Sequence, residues 1–88
     1  EHRVVVEGRE VKLTPTEYEL LKVMLKYAGR VLTHKQLLKA VWGNEYDTDT
    51  HYIRIYMRQL RRKIEPDPAQ PKYLITEAGI GYRLLGGE

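Results

Sequence analysis

The chain opens with two short runs of β-favouring residues, Arg3–Val6 and Arg9–Leu13, on either side of Glu7-Gly8. Glycine there supplies the positive φ that a tight turn needs, so the pattern predicts a β-hairpin. Beyond Leu13 the period lengthens. Thr14 is placed to cap a helix, Pro15 sits at its first position, Glu17 completes a capping box, and Leu13 and Tyr18 are spaced as a hydrophobic staple. Tyr18, Leu21, Met24, Leu25 and Ala28 then recur at helical spacing, and Gly29 marks a stop. The same punctuation returns at once. Thr33 caps, Gln36 closes a second box, Leu32 faces Leu37 as staple, and Leu37, Leu38 and Val41 form an apolar stripe that halts at Trp42-Gly43.

Asn44–Asp49 is polar and turn-like, and a third helix begins near Thr48 or Asp49. It runs to about Ile64, because Pro66 pushes the residue before it out of the α region. Pro66–Pro71 reads as a rigid connector. Tyr73–Thr76 and Tyr82–Leu85 then form a second hairpin around a glycine-containing turn, Glu77–Gly81. The expected order is ββ-α-α-α-ββ. That is an α+β winged helix-turn-helix, with three helices between an N-terminal β-hairpin and a C-terminal β-hairpin wing. Its second and third helices make the helix-turn-helix.

The third helix is the most informative segment. At 100° per residue, Ile53, Met57, Leu60 and Ile64 fall within an arc of about 60° and face a core. His51, Arg54, Arg58, Arg61 and Arg62 gather in an arc of about 100° well away from it. Net charge is only +3, but its distribution is uneven. Thr50–Lys63 holds five of the fifteen Lys/Arg and none of the twelve acids, so one segment carries the whole positive excess. A merely solvated helix interleaves glutamate with lysine for support along its face. Here none appears, which points to a polyanion, although a basic face can also serve an acidic protein partner. Arginine can span guanine O6 and N7 in the major groove, neighbouring cations can neutralise phosphates, and Ile55 could offer a thymine methyl its apolar contact.

Composition narrows the rest. Eighty-eight residues make one domain with a small core. The chain has no cysteine, which excludes disulfides and thiolate zinc sites and fits a cytoplasmic protein. No apolar run is long enough for a bilayer. The start at Glu1, almost directly in a strand pattern, reads as a domain cut from a longer protein. His2, His34 and His51 are scattered, so no metal site is expected. No nucleophile–base set or phosphate loop suggests an enzyme or a cofactor. Trp42 and Tyr82 are expected in the core, Trp42 with a polar edge and Tyr82 with its hydroxyl free to reach a phosphate.

Four linked motifs carry a resemblance: LTPTEYELL (Leu13–Leu21), GRVLTHKQLLKAVWG (Gly29–Gly43), HYIRIYMRQLRRKIE (His51–Glu65) and ITEAGIGYRL (Ile75–Leu84). Together they cover nearly the whole chain, which resembles the OmpR/PhoB-type effector domain of two-component response regulators. Within that family the last two motifs are most similar to members that control potassium-transport genes. The resemblance implies sequence-specific binding of double-stranded DNA. Arg54, Arg58 and Arg61 would read bases, joined by Tyr52, Ile55 and Gln59, while His51, Arg62, Lys63, Thr76 and Tyr82 would contact phosphates. Asn44, Glu45, Tyr46 and Asp47 fall in the loop that touches RNA polymerase in some members. It further implies that the N-terminal hairpin is the remnant of a larger sheet, and that a receiver domain precedes this one in the same full-length protein. A monomer in solution and a dimer on tandem half-sites are expected. Several members carry an arginine at the wing tip, where this chain has Ala78 beside Glu77, an acid expected to repel phosphate. The competing readings are a winged helix used for protein interaction, and RNA binding, which fits poorly because the A-form major groove is too narrow for a helix.

Overall fold

A computed structural model describes residues 2–43 and 51–85. Its elements are β1 (His2–Val6), β2 (Arg9–Leu13), α1 (Pro15–Lys26), β3 (Val31–Thr33), α2 (His34–Trp42), α3 (His51–Ile64), β4 (Leu74–Glu77) and β5 (Gly81–Leu84). The start expected for the third helix at Thr48 or Asp49 lies outside the described residues. β1 and β2 pair antiparallel, with Val6 opposite Arg9 across a two-residue loop. Both loop residues, Glu7 and Gly8, have positive φ, so the turn twists with the strands it joins.

Both helix starts form as the sequence predicts. The Thr14 hydroxyl accepts from Glu17 N–H while the Glu17 carboxylate accepts from Thr14 N–H, and Thr33 and Gln36 repeat the exchange at α2. Each box satisfies two backbone donors that a helix N-terminus otherwise leaves unpaired. The buried face of α1 is rotated from the expected one. Glu17, Leu20, Leu21 and Met24 point inward, whereas Tyr18 is half-buried and Leu25 and Ala28 are exposed. The rotation follows from Glu17. Its carboxylate is held by Thr14 N–H and by Lys63 Nζ at 2.6 Å, so it can be buried and bring its whole face with it. α1 also stops before Gly29. From Tyr27 the chain turns aside, and Gly29 N–H donates to the Leu84 carbonyl at 2.8 Å.

That turn leads into β3, a strand with no counterpart in the expected order. It pairs with β5, giving a three-stranded sheet in the order β3-β5-β4, with Leu32, Tyr82 and Thr76 in register. Three residues ending in a helix cap are too short to show a period, and the strand exists because β5 offers it an edge. The wing strands also sit one residue from their expected bounds, at Leu74–Glu77 and Gly81–Leu84. On α2, Leu37 and Leu38 are buried and Val41 is only half-buried.

α3 is the centre of the core. Ile53, Met57 and Leu60 are fully buried and Ile64 nearly so, packed in one cluster with Leu20 and Met24 of α1, Leu37 and Leu38 of α2, and Leu74 and Leu84 of the wing. Each such burial contributes about 1.5–3 kcal/mol, so the helix that carries the arginines is also the one most firmly seated.

Gly81 permits the β3–β5 pairing. A Cβ at that position would stand 1.9 Å from the Leu32 carbonyl oxygen and 2.8 Å from Thr33 Cα, both backbone atoms that cannot rotate away. We therefore expect Gly81→Ala to cost about 2–3 kcal/mol of stability by overpacking. It should also strip hydrogen-exchange protection from β3 before α3. A denaturation midpoint within error of the parent would refute this close approach.

Candidate nucleic-acid interface

The outer face of α3 is exposed at His51, Tyr52, Arg54, Ile55, Arg58, Gln59 and Arg62. Among the described residues no carboxylate pairs with Arg54, Arg58 or Arg62. These three line a surface hollow of about 350 Å³ together with Arg61, Pro68 and Tyr82. Four guanidinium groups around one concavity, with no acid in its lining, make a site for anions spaced along a backbone.

Arg61 differs from its neighbours. It is half-buried, and its guanidinium donates to the Leu74 carbonyl from Nε at 3.1 Å and from Nη2 at 2.8 Å. Nη2 also donates to the Thr76 hydroxyl at 2.7 Å, and the group lies 5.8 Å from the centre of the Tyr82 ring. The side chain expected to read a base ties α3 to β4 in this structure. Thr76, expected to meet phosphate, is the exposed residue that accepts this bond.

Lys63 lies on another side of the helix. Its ammonium pairs with buried Glu17, and its carbonyl accepts from Arg9 at 3.1 Å, so it fastens α3 to α1 and β2. Tyr82 is buried, as expected for a core anchor, and His34 meets its ring edge-on at 5.4 Å. Burial pushes the Tyr82 hydroxyl above its ordinary pKa, against the opposing pull of Arg61 and Arg54, so it stays protonated and able to donate. Trp42 is half-buried against the core, its ring 5.3 Å from Tyr56 and 6.4 Å from Tyr52. Asn44, Glu45, Tyr46 and Asp47 lie outside the described residues.

Two features of the wing were not legible beforehand. Glu65, the residue after α3, is 3% exposed, and its carboxylate accepts from the backbone N–H groups of Lys72 at 2.8 Å, Tyr73 at 3.0 Å and Leu74 at 2.8 Å. It thereby docks β4 onto the end of the helix. A glutamate before a proline gives no sign of this, since its partners are main-chain donors seven to nine residues away. At the tip, Glu77 pairs with Arg83 at 2.8 Å. The acid expected to repel phosphate is thus largely neutralised within the wing.

The profile of the family described as "Transcriptional regulatory protein, C terminal" matches residues 8–84. The KDP operon transcriptional regulatory protein KdpE of Escherichia coli K12 is 55% identical over 84 residues, covering 94% of this chain and 37% of that protein. The chain thus spans little more than a third of the length of the curated relatives it matches. Among solved structures, the response regulator DrrB, an OmpR/PhoB homologue of Thermotoga maritima, superposes with a TM-score of 0.81 at 31% identity, over 91% of this chain and 36% of that one. The RstA DNA-binding domain of Klebsiella pneumoniae, solved in complex with the RstA box, shares the fold. Its TM-score is 0.84 at 24% identity, over 94% of this chain and 82% of that one.

The Arg61 geometry makes a direct prediction. Arg61→Ala should lower stability by about 1–3 kcal/mol, as expected for losing charge-assisted hydrogen bonds, and speed amide exchange across β4. Arg61→Lys should recover only part, because a point charge cannot span both Leu74 and Thr76 as the planar fork does. Unchanged exchange in β4 would show that Arg61 does not hold the wing.

Proposed function

The chain belongs to the OmpR/PhoB-type family of C-terminal DNA-binding domains of transcriptional regulators, and on that premise we propose that it binds double-stranded DNA sequence-specifically by laying α3 in the major groove. The observation that carries this reading is the hollow lined by Arg54, Arg58 and Arg62, exposed and without a carboxylate partner among the described residues, on the helix at the centre of the core. Arg54 and Arg58 read base edges, with Tyr52, Ile55 and Gln59 on the same exposed face. Arg62, His51 and the Tyr82 hydroxyl serve the phosphates. Arg61 and Thr76 set the wing beside the helix, and Lys63 supports the helix from behind.

The wider reading concerns the whole protein. Its relatives are nearly three times longer, which supports a receiver domain in the same full-length chain. Likeness to a regulator of the KDP operon supports control of potassium-transport genes. Such a regulator works in the cytoplasm, on the chromosome, and no helix among the described residues is long and apolar enough to cross a membrane. Two copies, monomeric when free, bind tandem half-sites about one helical turn apart. Asn44–Asp47 form the stretch through which RNA polymerase contact would run.

Binding-site selection followed by salt titration tests this. On the selected site, Arg54→Ala or Arg58→Ala should cost about 1–3 kcal/mol and relax the choice at one base position. Arg62→Ala should weaken all sequences equally and reduce the log–log salt slope by about 0.9. Losses that are equal on selected and scrambled DNA would demote Arg54 and Arg58 to phosphate contacts. An affinity that ignores salt would remove the groove-docking picture altogether.

The wing allows a second test. With Glu77 already paired to Arg83, an added cation at the tip acts on DNA rather than on Glu77. Ala78→Arg should tighten binding, most on sites flanked by A·T pairs, and steepen the salt slope by about one unit. No gain on either A·T- or G·C-flanked DNA would mean the tip does not reach the minor groove.

A further inference from the structure

A second hollow lies on a part of the molecule that the DNA reading does not use. It has a volume of about 440 Å³ and runs between the end of α1, β3 and α2, with no residue of α3 in its lining. Its origin is local. α1 ends at Lys26 and the chain swings round into β3, which lays Tyr27 and Val31 along one side, 37% and 38% exposed. On the facing side α2 presents Ala40, too small to fill the gap, and Leu32 forms part of the floor. Arg30 and Lys39, both exposed, line the same hollow, and no acid does. Among the described residues neither cation has an ion-pair partner. Lys26 adds a third positive charge, over the Tyr27 ring at 5.5 Å.

An apolar trough rimmed only by cations selects by charge and binds by burial. We propose that this groove is a docking site for an acidic protein segment carrying an apolar anchor. The anchor fills the space over Ala40 and Leu32, and its carboxylates meet Arg30 and Lys39. A second copy of the chain is a poor source of that segment. Among the described residues Glu7, Glu10, Glu17 and Glu77 are already ion-paired, Glu65 is buried under three backbone donors, and the two remaining acids, Glu19 and Asp67, stand singly on α1 and in the connector. The occupant proposed is the surface of a different protein, matched by its charge to Arg30 and Lys39, and with no residue of α3 in the lining it can dock while α3 is engaged elsewhere.

The test uses the isotopically labelled protein and two synthetic peptides. One is an acidic amphipathic peptide with a single leucine anchor, and the other has every acid replaced by lysine. Amide shifts are followed with and without excess duplex DNA, which masks the α3 arginines if they bind DNA and leaves the groove open if they do not. The expected result is saturable shifts at Tyr27, Val31, Lys39 and Ala40 with the acidic peptide alone, retained when DNA is present. Arg30→Glu combined with Lys39→Glu should weaken binding by about tenfold or more. Ala40→Trp, at an exposed position, should block the groove without changing its charge. Shifts confined to the α3 arginines, equal binding of both peptides, or no binding would each overturn the proposal.

Discussion

A single buried carboxylate fixes how the wing stands against the helix that carries the arginines. Glu65 closes the last hydrogen bond of α3, from its own N–H to the Arg61 carbonyl at 3.0 Å, and its side chain then gathers three successive N–H groups at the start of β4. Backbone donors leaving a proline-rich connector have no helix or sheet partner, and burying them unpaired would cost about 1–3 kcal/mol each. One carboxylate satisfies all three. The connector itself is braced by Asp67, which accepts from Ala69 N–H at 3.1 Å, so the chain reverses without losing its bonds.

Arg61 completes this junction from the other side. Glu65 holds the N–H groups of the strand, while Arg61 holds the Leu74 carbonyl and the Thr76 hydroxyl beyond it. Two oppositely charged side chains, four residues apart at the end of α3 and just beyond it, thus grip the two kinds of main-chain group that β4 presents. The result is a helix and a hairpin fastened to each other through both donors and acceptors of the strand. Rigid placement of this kind matters for a reading head, because an arginine must be held within a fraction of an ångström of its productive geometry to use both its hydrogen bonds. It also divides the basic residues by task. Arg54, Arg58 and Arg62 remain available, whereas Arg61 and Lys63 are committed to the wing and to α1.

The opposite side of the molecule is built on the same economy of buried charge. Glu17 serves at once as the capping-box residue of α1 and the partner of Lys63, so the first helix and the third are joined by an ion pair that is also hydrogen-bonded to the backbone. A lone carboxylate could not be buried there. With its partners in place it sets the rotation of α1, leaves Leu25 outside, and lets the chain turn early into β3. The apolar groove beside β3 is a consequence of that turn.

Local signals therefore determined much of this protein. Capping boxes at Thr14 and Thr33, the two-residue turn at Glu7-Gly8, the helix stop before Pro66 and the apolar stripe of α3 all depend on residues within a few positions of one another, and all can be read along the chain. The segregation of arginines on α3, which carries the functional reading, is equally local. Tertiary structure decided what depends on distant partners. β3 exists only because β5 pairs with it, and Gly81 lets it approach. Glu17 is inside because Lys63 reaches it from a remote helix, and Glu65 is inside because β4 brings it three donors. Arg61 looks identical to Arg54 and Arg58 on a helical wheel, and Lys63 is indistinguishable from them in a charge count. Only the fold shows which guanidinium meets a carbonyl and which meets solvent, because a wheel carries the direction of a side chain but not what stands opposite it.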